Sequence, residues 1–353
     1  MHTVTIVGLG PGDRDQMPVK VERELKNHSI IYMRTEDHPA VLELKKEGLV
    51  FETFDSLYEE NSNDFEDVYE AIVTTLLKAA EENPVLYAVP GHPMVAEKTV
   101  KELLNRYDKV RIAGGASFLD DLFQSVKVDP VEGFQLMDSF GLNPDYLQTG
   151  QHIIIMQVFN ALMASEVKLT LMEKYPAEHQ VAVIDAAGSE SEEVNWLPLY
   201  EIDHFEGVHN LRSLYIPPLE RDEQVTSLST VQYYIDEITA PDGDVWINEQ
   251  NSQSLVQYIK EETAELIVAI EKKDIDNTIE ELGDVLIQIL YQTNMAEREG
   301  LFTFEEVLTG INRKIRRRHP HVFDGVEALT VEEVDALWQK IKAEEKRNKD
   351  EIG

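Results

Sequence analysis

Short apolar runs alternate with amphipathic stretches along the first part of the chain, and the rhythm changes near residue 217. Residues 4–9 are almost all apolar and end in glycines, the pattern of a strand buried on both faces. Residues 14–27 read as helix, 30–34 as strand and 65–80 as an amphipathic helix. A strand over 85–89 stops at Pro90-Gly91-His92-Pro93, helix returns over 95–106, and 151–159 and 180–187 are later strands. This alternation predicts an α/β domain with a largely parallel sheet over residues 1–217. Ile216-Pro217-Pro218 cannot continue a helix or a central strand, so 218–227 is expected to be a linker. Residues 228–348 then read as an all-α domain, with helices over 253–272, 275–298, 304–318 and 330–347. Thr303 and Thr330 stand where N-caps belong, each followed by glutamates in the next turn, and 349–353 is expected to fray.

Composition narrows the classes. A chain of 353 residues predicts two domains. The 67 acidic against 32 basic residues give a formal net charge of −35, which opposes binding to nucleic acid or anionic membrane. No run approaches the ~18 apolar residues of a membrane span, and no cationic leader precedes the first apolar run, so a cytoplasmic protein is expected. Cysteine is absent, which removes disulfides, thiolate nucleophiles and cysteine-ligated metals.

The densest candidate chemistry lies in the second segment. Glu261-Glu262-x-x-Glu265 is followed by Glu281-x-x-Asp284. Glu262 and Glu265, and likewise Glu281 and Asp284, are neighbours on a helix surface at i, i+3. A turn at Lys272-Lys273-Asp274 folds the two helices back on each other, so the carboxylates can meet. Clustered carboxylates resist ionisation unless a cation neutralises them, and hard oxygen ligands suit Mg²⁺ or Mn²⁺. Glu262 falls inside the apolar arc of Leu255, Ile259, Leu266 and Ile270, whereas Glu281 and Asp284 fall on the polar side of their helix. Spacing alone therefore leaves two readings open, a metal site and a pair of solvated helix faces. The one dense cationic run, from Arg313 to His321, reads either as helix-end cations or as a phosphate site.

With these residues in view, the second segment resembles a MazG-type nucleoside triphosphate pyrophosphohydrolase domain. The signature E-E-x-x-E then E-x-x-D is matched, as is the Arg-Arg-His-Pro-His-Val-Phe stretch at 317–323, and Trp338 and Lys342 fall in the last helix as in that family. The resemblance implies an all-α, homo-oligomeric, Mg²⁺-dependent enzyme that cleaves a nucleoside triphosphate to the monophosphate and pyrophosphate. It implies that Glu262, Glu265, Glu281 and Asp284 bind the metal, and that Glu261 supports them or positions the attacking water. Lys314, Arg317 and Arg318 would hold phosphates, Trp338 would stack on the base or serve as a packing residue, and Lys342 would reach a phosphate. One segment departs: the family's Cys-Pro-Trp-Asp opening is replaced by residues 240–251, where tryptophan is displaced and cysteine missing.

The first segment carries glycine- or proline-bearing loops after its strands, the place where open α/β sheets bind ligands. They are Gly8-Leu9-Gly10-Pro11-Gly12-Asp13, Arg34 to Pro39, Gly91-His92-Pro93 and Gly114-Gly115-Ala116-Ser117. Residues 3–217 resemble the tetrapyrrole (corrin/porphyrin) methylases, two α/β lobes with S-adenosylmethionine in the cleft between them. Carried over, Gly10, Gly12, Asp13, Gly91, His92, Pro93, Gly115 and Ser117 are the candidate cofactor residues. The methylases' Gly-Asp-Pro loop reads Gly91-His92-Pro93 here, and their Pro-Gly-x-Ser loop reads Gly114-Gly115-Ala116-Ser117. The domain order is similar to that of the bifunctional YabN-type proteins. Three functional readings follow: a pyrophosphohydrolase with an appended methylase-like domain, a methyltransferase whose helical domain serves oligomerisation, and a hydrolase regulated by a non-catalytic S-adenosylmethionine sensor.

Overall fold

The computed structural model describes residues 1–60 and 65–352. The chain divides into two compact units, Met1–Val225 and Thr226–Gly353. The division falls within the stretch 218–227 rather than at the double proline. Leu219, just past the prolines, is 3% exposed and still belongs to the first unit's core.

Among the described residues the first unit holds two five-stranded sheets. The first contains β1 (Val4–Gly8), β2 (Ile31–Met33), β3 (Glu52–Thr53), β4 (Val85–Val89) and β5 (Val110–Gly114), in the order β3-β2-β4-β1-β5. All its pairings are parallel, and β1, β2 and β4 are buried along their length, as continuous apolar runs require. Helices α1 (Val19–Asn27), α2 (Pro39–Lys46), α3 (Asp55–Glu60), α4 (Phe65–Glu82) and α5 (Lys98–Arg106) lie between these strands in sequence. The helix expected over 14–27 is interrupted: a single 3₁₀ turn covers Arg14–Gln16, and Pro18 caps α1. Proline lacks the N–H that a continuous helix would need there.

After α6 (Phe118–Val126) comes the second sheet, with β6 (Phe134–Asp138), β7 (His152–Met156), β8 (Gln180–Asp185), β9 (Glu193–Pro198) and β10 (Arg212–Ile216), and α7 (Ala161–Leu171) between β7 and β8. Its order is β6-β7-β10-β8-β9; only β6 and β7 pair in parallel, and the other pairings are antiparallel. The expectation of a largely parallel sheet thus holds for the first lobe and not for the second. Strand β9 reads Glu-Val-Asn-Trp-Leu-Pro and is half exposed, so it offered no apolar run to find.

The second unit is helical: α8 (Leu228–Thr239), α9 (Val245–Asn248), α10 (Val256–Lys272), α11 (Ile275–Arg298), α12 (Phe304–Arg318), α13 (Pro320–Phe323) and α14 (Val331–Ile352). Thr303 caps α12 through a reciprocal pair of bonds with Glu306, and Thr330 bonds Glu333 in the same way. Residues 349–352, expected as a frayed tail, continue α14, and Gly353 lies outside the described residues. The unit's buried apolar clusters are small, one of Ile235, Leu290 and Phe304 and one of Ile247, Leu255 and Met295.

Candidate functional site

The connection between α10 and α11 decides where the carboxylates point. Lys273 takes a left-handed conformation (φ 56°) and its N–H bonds the carbonyls of Ala269 and Ile270. Asp274 then caps α11 by accepting from the Asn277 N–H. With so tight a turn only one stripe of α11 can face α10, and that stripe carries Glu281, which is 7% exposed. The helix-wheel expectation for α11 is therefore reversed. Over residues 275–289 its polar side is turned inward, while Ile275, Ile279, Leu282, Leu286 and Ile289 are exposed; further along, Leu290, Met295 and Ala296 are buried. On α10 the predicted apolar arc is also only partly inward: Leu255 is buried, but Ile270 is 55% exposed.

Glu262, Glu265 and Glu281 each offer a carboxylate oxygen, and these oxygens lie within 4.8 Å of one another. Burial raises the Glu281 carboxyl above the ordinary glutamate range, and the charges of Glu265, Asp284 and Glu262 push the same way. Glu262 is raised likewise, first by burial and then by Asp284, Glu265 and Glu261. One oxygen of Glu281 is inaccessible and has no hydrogen-bond partner. A buried orphan acceptor among three further carboxylates is costly as it stands. It is what a divalent cation with oxygen ligands would satisfy, so these residues fit Mg²⁺ or Mn²⁺.

The basic run is placed differently. Arg317 and Arg318 both bond Glu345 of α14, and Arg316 bonds Asp324 at 2.5 and 2.7 Å. The two guanidiniums hold the Glu345 carboxyl down at about 2. Trp338 has Lys342 Nζ 4.5 Å and the Arg318 guanidinium 5.7 Å from its ring centre, and His319 meets it edge-on. Lys314 is exposed on α12. Among the described residues no ion pair joins this basic group to the α10–α11 carboxylates. Trp246, in the segment that departs from the family pattern, sits on α9 half exposed and edge-to-face with Tyr258 at 5.4 Å.

In the first unit the strand-end loops converge on a cavity of about 250 Å³. Gly10 and Gly91 exchange backbone bonds of 2.8 and 3.3 Å. A side chain at Gly8 would put its Cβ 2.1 Å from the Gly91 carbonyl oxygen, and one at Gly115 would meet Pro93 at 2.8 Å. Glycine is required at both because the loops cross in contact. Of the candidate cofactor residues, Gly91, His92 and Ser117 line the cavity. Gly10, Pro93 and Gly115 build the crossing behind it. Asp13 accepts from the Glu190 N–H, and Gly12 lies against the Gln16 side chain, so neither faces the cavity.

Several lining residues carried no sequence signal strong enough to select them. Glu97 is 9% exposed and bonds the Arg34 guanidinium, which also donates to the Tyr58 hydroxyl. Burial pushes the Glu97 carboxyl up, against the pull of Arg34. Arg212 is held by Asp185 in a bidentate pair at 2.7–3.2 Å and stacks over Phe205. Ala96, Gln157 and Ala186 all line the cavity with left-handed backbone (φ 52°, 67° and 47°). Such strain in non-glycine residues gathers where a fold shapes a ligand site. Only Arg34 lay in a loop flagged by position after a strand.

The family model of the tetrapyrrole (corrin/porphyrin) methylases matches residues 3–203. The chain belongs to that family. The model of the MazG nucleotide pyrophosphohydrolase domain matches residues 250–323, beginning just past most of the divergent segment. The chain is 46% identical to the uncharacterised protein YabN of Bacillus subtilis across 97% of its own length and 71% of that protein, which shows the fused architecture. It is 40% identical to the nucleoside triphosphate pyrophosphohydrolase/pyrophosphatase MazG of Thermotoga maritima, over 33% of this chain and 44% of that one. It is 41% identical to the nucleoside triphosphate pyrophosphohydrolase of Escherichia coli K12, over 30% of this chain and 41% of that one. The chain thus spans less than half the length of these two relatives.

Proposed function

We propose that the helical unit hydrolyses a nucleoside triphosphate between its α and β phosphates, releasing the monophosphate and pyrophosphate. The observation that carries this reading is the trio of carboxylate oxygens within 4.8 Å, one residue of which is buried and incompletely bonded. Glu262, Glu265, Glu281 and Asp284 would hold Mg²⁺ or Mn²⁺. Such an ion, when bound, neutralises phosphate oxygens and polarises the scissile centre. Glu261, exposed beside Glu262, would support the metal-binding carboxylates or position the attacking water, whose oxygen bonds to phosphorus as pyrophosphate leaves. Lys314, Arg317, Arg318 and Lys342 supply the cationic counterpart for phosphates. Arg317 and Arg318 must first loosen from Glu345 to do so. The MazG family match and the two pyrophosphohydrolase relatives support the assignment. The exposed apolar stripe of α11 and the small cores favour a homo-oligomer through this unit. Among the described residues no helix is long and apolar enough to cross a membrane, and we place the protein in the cytoplasm.

Pyrophosphate release from a panel of ribo- and deoxyribonucleoside triphosphates, with Mg²⁺ and with EDTA, tests the reading. Metal-dependent release that Glu281→Gln abolishes is expected. Release from no nucleotide, or undiminished release by the variant, refutes it.

For the first unit the cavity with three strained lining residues favours an S-adenosylmethionine site, serving either methyl transfer or sensing. Calorimetry with S-adenosylmethionine separates the readings. Absence of binding refutes both, and binding without methyl transfer to any acceptor favours the sensor.

A further inference from the structure

A second orphan lies on the inward stripe of α11. Gln288 is 9% exposed, and its side-chain oxygen is inaccessible and has no hydrogen-bond partner. It stands four residues after Asp284 and seven after Glu281, so the three share one helix face. One turn further, Gln292 donates to the Ser252 carbonyl at 3.0 Å, so the next glutamine on that side is satisfied by the chain leading into α10. A buried amide oxygen without a donor is destabilising, and a leucine or methionine there would carry no such penalty. The amide is thus suited to a donor that comes from outside the chain and displaces the packing that shields the oxygen here.

The missing partner is not the metal itself. A cation seeks the carboxylates, whereas Gln288 sits roughly 6 Å further along the helix axis from Asp284 at 1.5 Å per residue. Beyond Gln288, at the end of α11 that packs on the start of α10, Tyr258 and Tyr291 adjoin the cluster of Ile247, Leu255 and Met295. Trp246 meets Tyr258 edge-to-face and is half exposed. By contrast, cations already lie against Trp338. Along the hairpin the order is therefore carboxylates, neutral acceptor, aromatic surface. A nucleoside triphosphate has the matching order of phosphates, sugar hydroxyls and base.

We propose that Gln288 accepts a hydrogen bond from a sugar hydroxyl of the nucleotide and so determines preference for hydroxylated sugars. This rests on the pyrophosphohydrolase reading above. The test compares a ribonucleoside triphosphate with its 2′,3′-dideoxy analogue on the full-length protein, wild type and Gln288→Met, which keeps the length and shape of the side chain. Wild type should bind the ribonucleotide about five- to tenfold better in KM, the worth of one neutral hydrogen bond. Gln288→Met should bring that ratio to about one, and Gln288→Glu, which retains an acceptor, should keep it. Calorimetric titration of a non-hydrolysable analogue of each nucleotide should show the same collapse of the ratio, while Mn²⁺ affinity stays within about twofold. If Gln288→Met leaves the ratio as in an active wild type, weakens both nucleotides equally, or weakens Mn²⁺, the assignment of Gln288 falls. A wild type that hydrolyses no nucleotide overturns the reading beneath it.

Discussion

Replacing Glu281 by glutamine isolates the effect of a buried charge. The substitution keeps the shape of a side chain that is 7% exposed and removes the negative charge facing Glu262 and Glu265. Without metal, burial and the neighbouring carboxylates raise the Glu281 carboxyl above its ordinary 4.5. The folded state then holds that proton more tightly than the unfolded state. The penalty is absent below the ordinary pKa and grows as pH rises through the raised one. Glutamine carries no such penalty. In EDTA, Glu281→Gln should therefore unfold at a higher temperature than wild type at pH 7.5, and the gap should close toward pH 4.5. A divalent ion reverses the order. At a free Mn²⁺ concentration 100 times its Kd, wild type gains about 2.7 kcal/mol. For a unit of this size that is on the order of 10 °C in Tm. The variant, with a neutral amide in place of one of the converging carboxylates, should gain little. Differential scanning calorimetry at pH 4.5 and 7.5, with EDTA and with Mn²⁺, reads all four arms. A variant less stable than wild type in EDTA at pH 7.5, or stabilised by Mn²⁺ as much as wild type, would refute the argument.

Other outcomes follow from the remaining contacts. Glu345→Gln should free Arg317 and Arg318 and tighten product inhibition by pyrophosphate several-fold, read from steady-state rates. Because Glu345 is held near 2, its contribution to stability is complete above about 4.5 and lost as pH falls toward 2, so acid titration of wild type and variant should converge only there. Gly8→Ala should destabilise the first unit by about 3 kcal/mol, since its Cβ would stand 2.1 Å from a backbone oxygen that cannot swing away. Urea denaturation measures it, and a change under 1 kcal/mol would show that the loop crossing yields. Asp185→Asn should cost about 3 kcal/mol, because Arg212, 7% exposed, would keep its charge without its bidentate partner. The same denaturation series reports that loss.

Periodicity, spacing and turn chemistry are local properties, and they were enough for much of this molecule. The buried runs at β1 and β4 and the bounds of α11 and α12 follow from apolar patterning with caps at Asp274 and Thr303. The E-E-x-x-E and E-x-x-D spacing pairs carboxylates on each helix by helical geometry alone. Which way those helices turn is not local. The wheel for α11 put Glu281 outward, because an apolar stripe ordinarily marks the core, yet the tight turn at Lys273 and Asp274 sets the polar stripe against α10. The second lobe escaped for a similar reason. Antiparallel strands such as β9, open on one face, carry no continuous apolar run. The partners that hold the cavity wall, Arg34 with Glu97 and Arg212 with Asp185, are separated by 63 and 27 residues. The left-handed backbones of Ala96, Gln157 and Ala186 leave no mark on residue type. Sequence settled which residue types lie on which element. The packing of one element on another decided which of them meet, because burial, charge proximity and unpaired acceptors arise only when distant parts of the chain share one volume.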